Sequence, residues 1–119
     1  MDFRARVNKI CAPLPGAVKE DPWGGGHDAW KVGDKMFATI GVKADGVSVK
    51  CADIESCEML IDAGLGIKAP YFHKSWIRLH TTICEDDLKH HVEASYDRIR
   101  ASLTKKKQAA LAPRLEMES

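Results

Sequence analysis

A tight turn between two short apolar runs constrains the fold of this chain more than any other feature. Residues 30–40 read Trp-Lys-Val-Gly-Asp-Lys-Met-Phe-Ala-Thr-Ile, with Gly33-Asp34 between the runs. A Gly-Asp pair in this position is typical of a two-residue β-hairpin turn, because such turns need residues that tolerate a positive φ. The pattern therefore predicts an antiparallel sheet whose first hairpin has strands at 29–32 and 35–40.

Further extended segments follow the hairpin. A turn with Asp45-Gly46 leads to residues 47–50, where apolar and polar side chains alternate, and residues 75–80 alternate in the same way. Both are predicted strands. Residues 67–73 are also predicted to be extended, but Pro70 lacks the N–H that a central strand needs. A short strand near Val18 is compatible with the polar stretch before the hairpin.

Three segments carry apolar residues at helical spacing. Asp2 can cap a first helix, whose outer face holds Arg4, Arg6 and Lys9. Asp53 can cap a second helix that ends at Gly64. The third is predicted from about Glu85 to Leu103, and the acids in its first turn complement the helix dipole.

The order of these elements predicts the fold class. Short turns between strands require antiparallel pairing, and three amphipathic helices must cover apolar surface somewhere. We therefore expect an α+β domain in which an antiparallel sheet carries the helices on one face. The domain is expected over residues 1–107, with a flexible tail over 108–119.

Composition narrows the class of protein. The chain has 119 residues, of which 45% are hydrophobic, and a formal net charge of +1. That charge does not by itself favour a nucleic-acid or membrane partner. The four cysteines show no C-x-x-C spacing, and neither a signal peptide nor a membrane-length apolar run is present. We expect a monomeric cytoplasmic protein with reduced thiols.

Strand alternation predicts a candidate binding surface. Neighbouring residues of a strand point to opposite faces, so the aliphatic residues at 36, 38, 40, 47, 49, 77 and 79 are assigned to the helix side. The other face then collects cations and aromatic rings, which suit phosphates and bases. The residues assigned to this open face are Lys35, Phe37, Thr39, Ser48, Lys50, Trp76, Arg78 and His80.

A simpler interpretation of the same residues stays open. Trp76 and Phe37 can be buried beneath the loop at 17–28, and the cations can belong to an ordinary solvated sheet face. Segregation of acids to 53–62 and 85–97 leaves a basic side on the molecule, which supports a binding face without naming its ligand.

Signatures of catalysis and metal binding are weak. His27, His73 and His80 could form a zinc site with Cys51 or Cys57 only if tertiary folding brought them together. An enzymatic function would need His73 or His80 as a base near Cys51. Cys84 lies at a predicted helix N-cap beside three acids, which oppose thiolate formation. We expect no catalytic residues, no metal and no cofactor.

Seven short motifs, taken in order, resemble the MmcQ/YjbR family over about residues 3–107. The resemblance implies a fold similar to CyaY, the bacterial frataxin, and a candidate DNA-binding function with a double-wing arrangement. It does not imply frataxin-like iron binding, because the first helix here is basic. The motifs are Leu14-Pro-Gly16, Asp21-Pro-Trp23, residues 30–38, residues 47–50, Ala69-Pro-Tyr71, Lys74-Ser-Trp76 and Ser95-Tyr96.

Two functional hypotheses result. The first is a nucleic-acid (DNA) binding protein in which cations meet phosphates and Trp76 or Phe37 stacks on bases. Its predicted binding residues are Lys31, Lys35, Lys50, Lys74, Trp76 and Arg78. The second is a module that binds a small anionic ligand or a protein partner in a groove between Ala69-Pro-Tyr71 and the sheet.

Overall fold

The computed structural model describes residues 1–114, and within them the chain forms ten regular elements. The helices are α1 (Phe3–Cys11), α2 (Ile54–Asp62), α3 (Glu85–Ala101) and α4 (Lys105–Ala109). The strands are β1 (Val18–Glu20), β2 (Asp28–Val32), β3 (Lys35–Ile40), β4 (Val47–Lys50), β5 (Gly66–Lys68) and β6 (Trp76–Leu79).

All six described strands belong to one antiparallel sheet with the order β1-β2-β3-β4-β6-β5. The Gly33-Asp34 turn joins β2 to β3, and both of its residues have positive φ, 55° and 70°. Gly33 also needs its missing Cβ, because a Cβ there would lie 2.5 Å from the side chain of Leu103. The predicted α+β class and its opening hairpin are confirmed.

The helices cover the aliphatic side of the sheet. The longest, α3, lies against β2, β3 and β4, α2 packs on β5 and β6, and α1 packs against α3. Ala38, Val49 and Ile77 lie side by side across three strands and are almost fully buried. The core therefore sits between the sheet and the helices, as the alternation predicted for these residues.

The alternation breaks at a bulge in β3. Trp30 pairs with Ala38, but the next residue, Lys31, pairs with Met36, so Phe37 is an extra residue in its strand. Such a bulge reverses the side-chain alternation on the far side of it. Phe37 is fully buried and makes an edge contact with the Tyr96 ring at 5.3 Å. Its predicted place on the open face was wrong.

Helix α1 is tied to the sheet by polar contacts. The indole N–H of Trp30 donates to Asn8 Oδ1 at 2.8 Å, and the Asn8 amide donates to Asp28 at 3.1 Å. Arg4 completes the network with an ion pair to the same carboxylate at 3.0 Å. Although burial alone would raise the pKa of Asp28, hydrogen bonds from Asn8 and Arg4 lower it overall. Part of the basic face predicted on α1 is therefore neutralised internally.

The ends of the predicted elements differ modestly from the structure, and α4 (Lys105–Ala109) was not predicted. Of the predicted extended segment at 67–73 only Ile67 and Lys68 lie in a strand, at the sheet edge, and α3 ends at Ala101 rather than at Leu103. The division into a domain and a tail stays a prediction. Leu111 packs against the core, and Arg114 pairs with Glu93 and Asp97. Residues 115–119 of that predicted tail lie outside the described residues.

Ser95 of α3 is predicted to be essential for stability. Its buried hydroxyl donates to the Phe37 carbonyl at 2.6 Å and accepts from the Lys50 N–H at 2.9 Å. In Ser95→Ala both backbone groups lose their partner inside the core. We expect the free energy of unfolding to fall by about 2–4 kcal/mol, measured by urea denaturation.

Ser102→Ala is the matched control, because the hydroxyl of this exposed residue also donates to a backbone carbonyl, that of Ile99 at 2.6 Å. Its loss is expected to change the unfolding free energy by about 0.5 kcal/mol or less. Equal effects of the two substitutions would show that the Ser95 bridge is not a special support of the sheet.

Candidate binding groove

The sheet face opposite to the helices carries a groove of about 660 Å³. Its floor is formed by Met36, Thr39, Ser48 and Arg78, which come from β3, β4 and β6. Thr39, Ser48 and Arg78 are neighbours in the register of these strands, so the sheet fixes their spacing. We call this feature the open-face groove.

The floor offers hydrogen-bond donors on a partly apolar surface. The Ser48 hydroxyl has no hydrogen-bond partner among residues 1–114, and the Thr39 hydroxyl has only the weak acceptor Met36 Sδ at 3.9 Å. Arg78 pairs with Asp45 at 3.7 Å, but the Asp45 side chain is 56% exposed. An ion pair this long and this exposed is weak, so Arg78 can turn to an incoming anion.

One wall is a glycine-rich loop with an aromatic tip. Trp23 is 56% exposed and makes an edge contact with the His27 ring at 5.2 Å. The Asp21 carboxylate accepts from the backbone N–H groups of Gly26 and His27, at 3.0 and 3.2 Å. These bonds hold the loop in a defined shape, so Trp23 is presented at the groove rather than folded into the core.

The opposite wall is Pro70-Tyr71-Phe72. Phe72 stacks on Trp76 with ring centroids 4.6 Å apart and an angle of 24° between the planes. Tyr71 is fully exposed and has a φ of 69°. A non-glycine residue in that conformation is strained, and the exposed ring gains no packing in return. Residues with this kind of strain occur at functional sites, so Tyr71 is a candidate for a functional position.

Of the predicted binding residues, only Arg78 lines the groove, and Trp76 lies behind the groove residue Phe72. Arg78 forms part of its floor. Trp76 is only 8% exposed, because Phe72 covers it. The interpretation in which Trp76 is buried is therefore correct, but the covering residue comes from the loop after β5 and not from residues 17–28.

The four predicted lysines do not converge on the groove. Lys31 pairs with Glu20 at 3.0 Å near the β1 edge, and Lys50 donates to Ser75 Oγ at 2.6 Å. Lys35 donates to Ser102 Oγ at 3.4 Å at the end of α3, since the bulge at Phe37 also moves this residue to the helix side. Lys74 is exposed in the loop before β6. A continuous basic strip is absent from the residues that the structure describes.

Alternation could not find Trp23, His27 or Tyr71, because all three lie in loops. A weaker signal existed, since Asp21-Pro22-Trp23 and Ala69-Pro70-Tyr71 were among the motifs that carried the family resemblance. The prediction that Met36 faces the core was wrong, because the bulge places this residue on the groove floor.

Residues 1–114 do not bring together the side chains that a metal site or an active-site thiol would need. Within residues 1–114 no three histidine, cysteine or acidic side chains are grouped so that they could bind a metal. Burial, together with the neighbouring Cys57 thiol, raises the pKa of Cys51 to about 12. Cys51 is therefore protonated at neutral pH and a poor nucleophile. The ring nitrogen Nδ1 of His73 lies 2.9 Å from Ser75 Oγ. Its hydrogen-bond partner is therefore Ser75, and not the Cys51 thiol.

Comparison with known proteins identifies the family. A family model described as YjbR matches residues 12–98, which is more than half of the chain. The chain belongs to the YjbR family. No curated protein sequence matches this YjbR protein. No helix formed by residues 1–114 combines the length and the apolar character needed to cross a membrane.

A solved structure extends the comparison to the fold. The crystal structure of Deinococcus radiodurans protein DR2400, described with a DUF419 domain, is similar to this YjbR protein with a TM-score of 0.81. The two sequences are 21% identical, and the alignment covers 92% of this chain and 87% of the other. The likeness shows a shared fold, in agreement with the sheet and helices described above.

Tyr71→Gly tests whether Tyr71 serves the fold. Glycine accepts a φ of 69° without strain, and the exposed ring makes no packing contact to lose. We expect the free energy of unfolding to stay constant or to rise by up to about 1 kcal/mol, measured by thermal and urea denaturation.

Phe72→Ala is the contrasting variant on the same wall, because Phe72 stacks on Trp76. It is expected to lower the unfolding free energy by about 1–3 kcal/mol. A comparable loss in Tyr71→Gly would mean that the tyrosine has a structural role.

Proposed function

We propose that this YjbR protein is a non-catalytic binding module that takes unpaired nucleic-acid bases into the open-face groove. The observation that carries the proposal is the pair of exposed aromatic residues on opposite walls, Trp23 and Tyr71, above a floor with Arg78. The DNA-binding hypothesis is kept in this form, with different stacking residues.

Stacking is the main source of affinity in this proposal. A base with both faces exposed can lie against an aromatic ring for about 1–3 kcal/mol, and the gain depends little on base identity. The hydroxyl groups of Ser48 and Thr39 lie on the groove floor, where they can meet polar atoms of the base edge.

Phosphate contacts contribute less. Arg78 is on the floor, and Lys74 is an exposed cation three residues after Tyr71 with no ion pair among the described residues. Two such contacts predict a weak salt dependence. A plot of the logarithm of the binding constant against the logarithm of salt concentration should have a slope of roughly −1.4 for single strands. Asp21 and Asp45 lie on the wall and rim and oppose any larger accumulation of phosphate.

Single strands are favoured over duplex. In a duplex the base faces are stacked on each other and cannot reach Trp23 or Tyr71 without unpairing. The groove is bounded by two loops, and the lysines that could have contacted a duplex backbone are dispersed over different parts of the domain.

A small anionic ligand with an aromatic ring is the second candidate. The groove volume of about 660 Å³ lies within the range of small-molecule sites, about 300–1,000 Å³. In that function Arg78 would bind the anionic group and the walls would enclose the ring, with no contribution from a second nucleotide.

Tryptophan fluorescence tests the proposal directly. Trp30 and Trp76 are 6% and 8% exposed, whereas Trp23 is 56% exposed, so quenching by a ligand reports mainly on the groove wall. We expect saturable quenching by short single-stranded DNA and a much weaker effect of the matching duplex. Tyr71→Ala should weaken binding about 5- to 150-fold, and Trp23→Ala, followed by anisotropy of a labelled oligonucleotide, should do the same.

Met59→Ala is the control for loss of an exposed apolar side chain, since Met59 is 70% exposed on α2 and does not line the groove. Its affinity should equal that of the unmodified chain. Equal affinity for a mononucleotide and an oligonucleotide would favour the small-ligand function. Binding that is indifferent to both Trp23→Ala and Tyr71→Ala would refute the groove as the site.

A further inference from the structure

A second cleft, of about 260 Å³, lies where α2 and α3 meet the ends of β4 and β6. Its lining residues differ entirely from those of the open-face groove. The polar residues that line this cleft come from three elements: Ser56 from α2, Lys50 from β4, and His90, His91 and Arg98 from α3. It is a basic site with no acidic lining residue.

Arg98 differs from the other arginines in its contacts. Its Nη1 donates to the Lys50 carbonyl at 3.0 Å, and no carboxylate among residues 1–114 lies within ion-pair distance. Four of the other five arginines form ion pairs, and Arg100 donates to the Tyr96 hydroxyl and the Ala112 carbonyl. The half-buried Arg98 guanidinium is thus anchored at one nitrogen, and its other N–H groups have no protein acceptor among the described residues.

Two further donors of the cleft lack partners. The hydroxyl of Ser56 and the ring nitrogens of His91 form no hydrogen bond with residues 1–114, and both side chains are half-buried. The His91 ring makes an edge contact with the His90 ring, with the ring centroids 4.9 Å apart. A guanidinium, a hydroxyl and an imidazole in one small cleft match the acceptors of a tetrahedral oxyanion.

We propose that this cleft is a second ligand site, which binds the phosphate group of a small phosphate monoester. Arg98 holds two of the anion's oxygens, and Ser56 and His91 donate to the others. The volume of about 260 Å³ admits a phosphate with a small organic body and is below that of most drug-sized ligands. The site does not depend on the function proposed for the open-face groove.

Protonation of His91 should be linked to the binding of an anion in the cleft. Burial lowers the pKa of His91, and the charges of His90 and Arg98 lower it further, against the opposing effect of Asp87. The other lining residues near His91 are Lys50 of β4, whose ammonium group is bound to Ser75, the protonated Cys51 that follows β4, and the uncharged Ser56 of α2. A bound dianion reverses this balance and raises the pKa of His91, so affinity should increase as pH falls through that pKa.

Titration of the full chain with methyl phosphate and with sulfate, at ionic strength held constant with chloride, tests the site. The readout is the NMR signals of the His91 ring and the Ser56 amide. We expect saturable shifts, an upward shift of the pKa of His91, and tighter sulfate binding at about pH 5.5 than at about pH 7.5. Sulfate keeps its charge over this range, so the change reports on the protein.

We expect Arg98→Gln to lower the affinity for methyl phosphate and for sulfate at least about tenfold. Ser56→Ala should lower both affinities a few-fold. Ser56→Ala removes a hydroxyl that has no protein partner, so it tests the site even if Arg98→Gln perturbs the fold. Lys105→Gln, an exposed cation in α4, should leave both affinities unchanged. The proposal would be overturned if chloride alone produced the same NMR shifts. It would also be overturned if all three variants bound the anions with equal affinity.

Discussion

The bulge at Phe37 and the hydroxyl that supports it determine which side chains line each face of the sheet. An extra residue in a strand leaves part of its backbone without a ladder partner. Here the Phe37 carbonyl accepts from Ser95 Oγ, and the same hydroxyl accepts from the N–H of Lys50 in β4. One side chain of α3 therefore satisfies two strands at once, and the Phe37 ring fills the core against Tyr96.

The groove follows from this arrangement. With Phe37 in the core, the open face receives Met36 in its place, and Met36 becomes part of the floor between the two loops. Each loop is fixed by local chemistry: the Asp21 carboxylate caps the backbone of one, and Phe72 anchors the other by stacking on Trp76. Trp23 and Tyr71 are left in solvent because their neighbours already supply the packing.

Local patterns predicted the elements well and the surface poorly. Turn residues, caps and periodicity are encoded within a few positions, so the hairpin, β4 and the starts of α1, α2 and α3 were found to within a residue or two. The face assigned to Lys35, Met36 and Phe37 failed because the bulge depends on a partner in α3, far along the chain. The groove walls lie in loops, which have no periodicity, and only the family motifs marked them.

Lys50 joins the two faces of the domain physically. Its N–H is held by Ser95, its carbonyl by Arg98 one turn further along α3, and its ammonium group by Ser75 next to the buried Trp76. Ser48 on the groove floor lies two residues earlier in the same strand. The Arg98 contact and the groove floor are therefore only two residues apart along β4. Any coupling between the two proposed sites would be carried by this short path, whose polar contacts are all made by one residue.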